Sequence, residues 1–425
     1  MKEDFLHFVW RNKQFDVTNL ISEQHQKIEI VRFGDYVQMA GPDFFNAQLY
    51  IDNQLWAGNV EMHLKASDWY AHQHEIDSNY DNVILHVVWD YDIDVFRKDG
   101  SVLPVLNLSK YINEVLIKNY FNLRTSKNWL YCENQLNGID DFTWFQWKEK
   151  LLIDRLEIKS KPIEKLLKET QNNWEEVLFV LLTKNFGLNI NGSAFEQTAK
   201  SISYKVISKE RFSAFNLEAL FFGVSGLLQI PKQDNYFKEI LNEFSYLKEK
   251  HQLKSSISEP IHFFKLRPDN FPMIRFSQLA NLLHQKEHLF SDLIQQELSI
   301  ATIYKYFSIS VSDYWKTHYV FDKESKFTTK KLTTSFIDLL LLNTILPLRF
   351  VYLKSLGKSD FDDVLEMYRN LNPEKNSIID KFKDLNISVE NAFDSQTLIH
   401  LKKNFCDEKK CLQCAIGVKL LRNNV

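Results

Sequence analysis

Glycine and proline are scarce in this chain, 11 and 9 residues out of 425. Their scarcity excludes a collagen-like repeat and long flexible linkers. Cysteine is rarer still, and four residues do not make the disulfide framework of a small secreted domain. No Walker motif, G-X-G-X-X-G or G-X-S-X-G occurs. That argues against an NTPase, a dinucleotide oxidoreductase and a serine α/β-hydrolase, so no nucleotide cofactor is expected. No repeat of fixed period is present. The opening MKEDFLHFVW has acids where a secretory leader has basic residues, and a cytoplasmic location is the expectation. The most apolar stretch, Phe336 to Tyr352, contains Asp338, Asn343, Pro347 and Arg349. It reads as a buried helix, not as a membrane span.

Aromatic residues are abundant: 33 Phe, 17 Tyr and 9 Trp. They imply packed cores or stacking surfaces. The net charge of −3 creates no global basic field for nucleic acid. The charge is uneven, however. Residues 1–100 hold 8 Lys/Arg against 17 Asp/Glu, a balance of −9, and the remainder carries +6. An acidic start suits carboxylates that hold a cation.

Hydrophobic patterning predicts an α+β protein. A helix is expected over 4–11, then strands at Lys27–Phe33, Ala47–Ile51, Leu55–Leu64 and Val83–Trp89. Ser67–Tyr80 is polar and long enough for a helix, with Ser67 or Asp68 as N-cap. The order helix, three strands, helix, strand describes an α/β sandwich whose last strand runs parallel to a neighbour. After about Pro104 the apolar spacing becomes helical, notably at Trp174–Asn185, Leu217–Leu228, Phe237–Glu249 and Phe336–Leu353. Three segments are expected: 1–125, 126–250 and 251–425, with Lys250–Ser258 as the most loop-like break.

Asp43 sits at the turn of Ala40-Gly-Pro-Asp-Phe-Phe-Asn, ahead of one strand. On the next strand, Glu61, His63 and Lys65 share one face. Two carboxylates from adjacent strands suit Mg²⁺, which activates water and polarises a phosphoryl oxygen. The bland reading is an ordinary turn and a solvated strand face. The arrangement over residues 1–105 resembles the PD-(D/E)XK nuclease core, a restriction-endonuclease-like fold. Pro42-Asp43 matches its first half and Glu61-Met62 its second. The resemblance implies that Asp43 and Glu61 bind the metal. His63 occupies the usual lysine slot, and either His63 or Lys65 serves as the basic group.

His63, His72, His74 and His86 also cluster in sequence, with Asp68 and Asp77 between them, and this set is a Zn²⁺ candidate. If residues 67–80 are helical, His72 and His74 lie about 200° apart and cannot share an ion. If they form a loop, they can. The alternative for His86 is a hydrogen-bonded sheet residue.

Cys406, Cys411 and Cys414 have a Cys-X4-Cys-X2-Cys spacing. Neighbouring thiolates of this kind chelate Zn²⁺ or hold an iron–sulfur cluster, with Cys132 or His400 as fourth ligand. Lys265, Arg267 and Arg275 lie beside aromatics and prolines and are candidates for phosphate contacts.

Phe5-Leu-His-Phe-Val-Trp10, Ala40-Gly-Pro-Asp-Phe-Phe-Asn-Ala47, Trp56-Ala-Gly-Asn-Val-Glu-Met-His63, Ser67-Asp-Trp-Tyr-Ala-His72, Tyr80-Asp-Asn-Val-Ile-Leu-His86, Arg267-Pro-Asp-Asn-Phe-Pro272 and Cys411-Leu-Gln-Cys-Ala-Ile-Gly417 together resemble an uncharacterised bacterial family, domain-of-unknown-function family 2851. That resemblance implies no activity. Three functions remain open from the residues: a Mg²⁺-dependent nuclease acting on DNA or RNA, a non-catalytic nucleic-acid or protein-binding module, and a zinc hydrolase built on the histidines.

Overall fold

The computed structural model of the chain describes residues 1–37, 40–253, 259–295 and 299–422. They form an α+β protein with two compact units. The first comprises Met1–Trp147 and Leu401–Val425, and the second Lys148–His400. This division differs from the three expected segments. No boundary falls at 250, because Phe237, Ile240 and Leu247 share one core with Ile274, Phe276 and Leu279. Residues 254–258 of the expected Lys250–Ser258 break lie outside the described residues.

The first unit opens with α1 (Glu3–Arg11). Acids in its first turn and Arg11 in its last complement the helix dipole. Its buried residues Phe5, Leu6, Phe8, Val9 and Trp10 form the apolar side. A seven-stranded sheet follows: β1 (Leu20–Ile21), β2 (Lys27–Arg32), β3 (Asp35–Tyr36), β4 (Phe44–Ile51), β5 (Gln54–Lys65), β6 (Val83–Asp90) and β7 (Val105–Asn107). Its order is β1-β2-β4-β5-β6-β7, with β3 beside β4. Strands β2, β4 and β5 run antiparallel. Strand β6 is parallel to β5, in register Glu61↔His86 and His63↔Val88. The four expected strands correspond to β2, β4, β5 and β6, with β6 parallel to β5 as expected; β1, β3 and β7 are additional strands that the patterning did not mark.

The segment between β5 and β6 differs from the expected helix over 67–80. Only α2 (Asp68–Ala71) is helical before His72 closes it. Gln73 adopts a left-handed φ of 61° that no α-helix continues through. Trp69, almost wholly buried, anchors the turn, and its carbonyl accepts the His74 N–H at 3.0 Å. The C-terminal helix Ala415–Arg422 belongs to this unit. The Leu421 carbonyl accepts from Asn119 Nδ2 at 3.1 Å, and Lys419 pairs with Asp140.

The second unit is helical, and its aromatics are core residues. Phe195 stacks on Phe276 at 3.8 Å, and Trp315 packs against Phe222 and Phe321. Glu218 is fully buried among them. Its Oε1 accepts from Ser277 Oγ (2.5 Å) and Ser312 Oγ (2.6 Å). Its Oε2 accepts from the Tyr236 hydroxyl and from Trp315 Nε1 (3.1 Å). The helical stretch Thr334–Ser355 is long and apolar enough to cross a membrane, and 78% of its most apolar window is buried within the protein.

Candidate functional site

Strand pairing brings Asp43 and Glu61 side by side. The register Phe44↔Val60 sets Asp43 at the mouth of β4 beside Glu61 on β5. The two residues clip each other. The Asp43 N–H donates to Glu61 Oε2 at 3.1 Å, and Asp43 Oδ2 accepts from the Met62 N–H at 3.1 Å. His7 of α1 closes this corner, its Nε2 standing 3.1 Å from Asp43 Oδ2. Burial alone would lower the pKa of His7. The Asp43 carboxylate, with Glu3 and Glu61, outweighs that and holds it above the ordinary value.

Glu61 and His63 share a face of β5 as expected, and both are buried. Lys65 on the same strand is exposed, and the acid it influences is Asp92. No described interaction brings its side chain to Glu61 or His63.

The loop after α2 folds His72 and His74 onto His63. His63 Nε2 lies 3.0 Å from His72 Nδ1, and His63 Nδ1 lies 2.9 Å from His86 Nε2. Glu61 Oε1 stands 3.5 Å from both His63 Nε2 and His74 Nε2. The His74 ring stacks on Tyr80 at 3.7 Å, which fixes its plane. Among the described residues, His63, His72 and His74 are the one set of His, Cys, Asp or Glu whose ligand atoms all lie within 4.8 Å of one another. The left-handed Gln73 makes this possible, since it breaks the helix that would have pointed His72 and His74 apart.

Electrostatics favour uncharged rings at His63, His74 and His86. Burial, reinforced by the neighbouring histidines, lowers His63 to about 2. Burial lowers His86 to about 3 and also lowers His74. Neutral imidazole is the metal-binding form. Burial first, and the Asp43 charge second, push Glu61 up to about 9. His86 Nδ1 is buried with no hydrogen-bond partner. The hydrogen bond between His63 Nδ1 and His86 Nε2 orients the His63 ring.

His7 is the residue that sequence reasoning missed. Nothing in Phe5-Leu-His-Phe-Val-Trp10 separates it from its apolar neighbours, and its role comes from packing α1 near β4.

Of the phosphate candidates, Arg275 is not available. It is buried, donates to Gln278 Oε1 (2.8 Å) and Asn270 Oδ1 (2.5 Å), and lies over the Phe336 ring. Its role is to tie the helix Pro272–Gln285 to its own N-terminal turn. Lys265 and Arg267 are exposed in the second unit.

All four cysteines lie in the first unit, free of disulfides, and line one small cavity. Burial raises each thiol pKa, that of Cys414 to about 11 and that of Cys132 to about 12. Cys132 is thus the fourth-ligand candidate that lines the cavity. His400 belongs to the second unit.

No curated protein and no solved structure matches the chain. One family model does, over residues 3–377, and its description is a protein of unknown function, DUF2851. With a match over most of its length, the chain belongs to the DUF2851 family.

Proposed function

We propose that the first unit is a metal-dependent hydrolase whose ion is held by His63, His72 and His74, with Glu61 as the base for the attacking water. The convergence of three imidazole nitrogens within 4.8 Å, beside a buried carboxylate oxygen 3.5 Å from two of them, carries this reading. Ligand atoms around one tetrahedral zinc stand about 3.3 Å apart, given Zn–N bonds of about 2.0–2.1 Å. A three-imidazole set favours zinc or another transition metal over the Mg²⁺ expected for Asp43 and Glu61 alone. Three protein ligands also leave a fourth position for water or substrate, as catalytic sites do. A bound ion there acidifies water and polarises an ester oxygen. Asp43 holds the Glu61 carboxylate through its N–H, and His7 and Met62 hold Asp43.

Phosphodiesters are the substrate class we infer. The strands β2, β4 and β5 between α1 and α2, the parallel β6 that follows, and the adjacent Asp43 and Glu61 support a nuclease-like ancestry for the site, with the short β1 and β3 as additions. On this reading His63, in the usual lysine slot, is a metal ligand, and neither it nor Lys65 is the general base.

The test is elemental analysis of the purified protein, then chelation and reloading with Zn²⁺, Mn²⁺ or Mg²⁺. Hydrolysis of bis(p-nitrophenyl) phosphate, DNA and RNA is measured at each step. We expect one transition ion per chain and turnover restored by Zn²⁺ or Mn²⁺. Glu61→Gln should keep the ion and lose about 100-fold or more in rate. Absence of any bound ion, or wild-type turnover in Glu61→Gln, sinks the proposal. A bound ion with no hydrolysis of any of the three substrates makes the unit a binding module instead.

A further inference from the structure

We propose that Cys132, Cys406, Cys411 and Cys414 hold an iron–sulfur cluster in the first unit, at a site that shares no residue with the histidine centre. The inference does not depend on the hydrolase reading.

The chain has only four cysteines, and all four line one cavity although Cys132 is far from the others in sequence. None is spent on a disulfide. Each stands at the end of a short element. Cys132 precedes the turn Glu133–Gly138, Cys406 ends Lys402–Cys406, Cys411 opens Cys411–Gln413, and Cys414 precedes the helix Ala415–Arg422. The backbone N–H groups of Ile416 and Gly417, in the first turn of that helix, donate to the Cys414 sulfur. Donors aimed at sulfur stabilise a thiolate, the form that binds metal. Gly417 is needed for the approach: a Cβ there would stand 2.2 Å from the Cys411 carbonyl oxygen. Leu123 and Phe405 complete an apolar lining of the kind that keeps such centres dry.

Sulfur spacing selects the class of centre. Four thiolates on one zinc stand about 3.8 Å apart, given Zn–S bonds of about 2.3 Å. The set of ligand atoms that converges within 4.8 Å among the described residues is that of the histidines and includes none of these sulfurs. A cluster places iron and sulfide between the thiolates and takes the wider set. Such a centre would bind the C-terminal segment to the stretch that follows the helix Glu114–Thr125.

The experiment uses the full chain purified without oxygen, assayed for iron, acid-labile sulfide and zinc. We expect iron and sulfide in equal amounts, about two to four of each per chain, with visible absorption that dithionite bleaches. Stoichiometric zinc, iron without sulfide, or no metal overturns the proposal. Cys132→Ser should lose the iron, and His400→Ala should keep it. The reverse pattern overturns the ligand assignment. The assay on the unmodified chain stands even if a variant fails to fold.

Discussion

Glu61 in the sheet unit and Glu218 in the helical unit are both buried, and the two are surrounded very differently. Glu218 in the helical unit meets four donors, two on each oxygen. Burial raises its pKa and outweighs those four bonds, which lower it. Glu61 in the sheet unit meets one N–H on Oε2, while its Oε1 faces two imidazole nitrogens at 3.5 Å. No described backbone donor reaches that oxygen, and a second carboxylate, Asp43, stands beside the pair. A saturated buried acid is part of the scaffold. A buried acid beside a second carboxylate and uncharged imidazoles is a place for a cation.

The largest effect should separate the two acids directly. Glu218→Leu leaves two serines, a tyrosine and a tryptophan N–H without their acceptor. It should destabilise the second unit by about 3–5 kcal/mol in urea unfolding. Glu61→Leu, measured in chelated protein, should change stability by less than about 1 kcal/mol, because it removes a carboxyl that burial and Asp43 already disfavour. Equal costs at the two positions would erase the distinction.

Metal affinity sharpens it from the other side. By titration calorimetry, His63→Ala should weaken zinc binding by well over about 100-fold, as loss of one of three ligands demands. His86→Leu should weaken it by about 10–100-fold, because His86 only orients His63. Lys65→Ala should leave affinity unchanged. A strong effect at Lys65 would move the site along the strand.

A smaller effect concerns Glu210 of the second unit. Burial would raise its pKa, but hydrogen bonds from Lys250, Asn216 and His251 outweigh it and hold the carboxyl at about 2. Its folded pKa lies below the unfolded value of 4.5, so the stabilisation is complete above about pH 4.5 and drains as pH falls toward 2. Urea midpoints should fall across that window, and Glu210→Gln should flatten the fall. An unchanged slope would remove Glu210 from the account.

Much of the frame was legible because it is local. Alternation marked β5, and the 3.6-residue period marked Trp174–Phe186 and Asn235–Lys250. The adjacency of Asp43 and Glu61 followed from strand order. What escaped is what packing decides. The Ser67–Tyr80 composition permits a helix, and one left-handed residue, Gln73, ends it. His7 joins Asp43 only once α1 lies near β4. The basic cluster around Arg275 looked like a phosphate grip, yet its guanidinium faces a phenyl ring inside the protein.

The return of Leu401–Val425 to the first unit sets a schedule for biosynthesis. The sheet is made before the second unit, but the helix Ala415–Arg422 and three of the unit's four cysteines are made after it. At roughly 5–20 residues per second, the roughly 250 residues in between take about 10–50 s to translate. Through that interval Cys132 and the helix Glu114–Thr125 have no C-terminal partner. The sheet unit can therefore close only after the second unit has been synthesised.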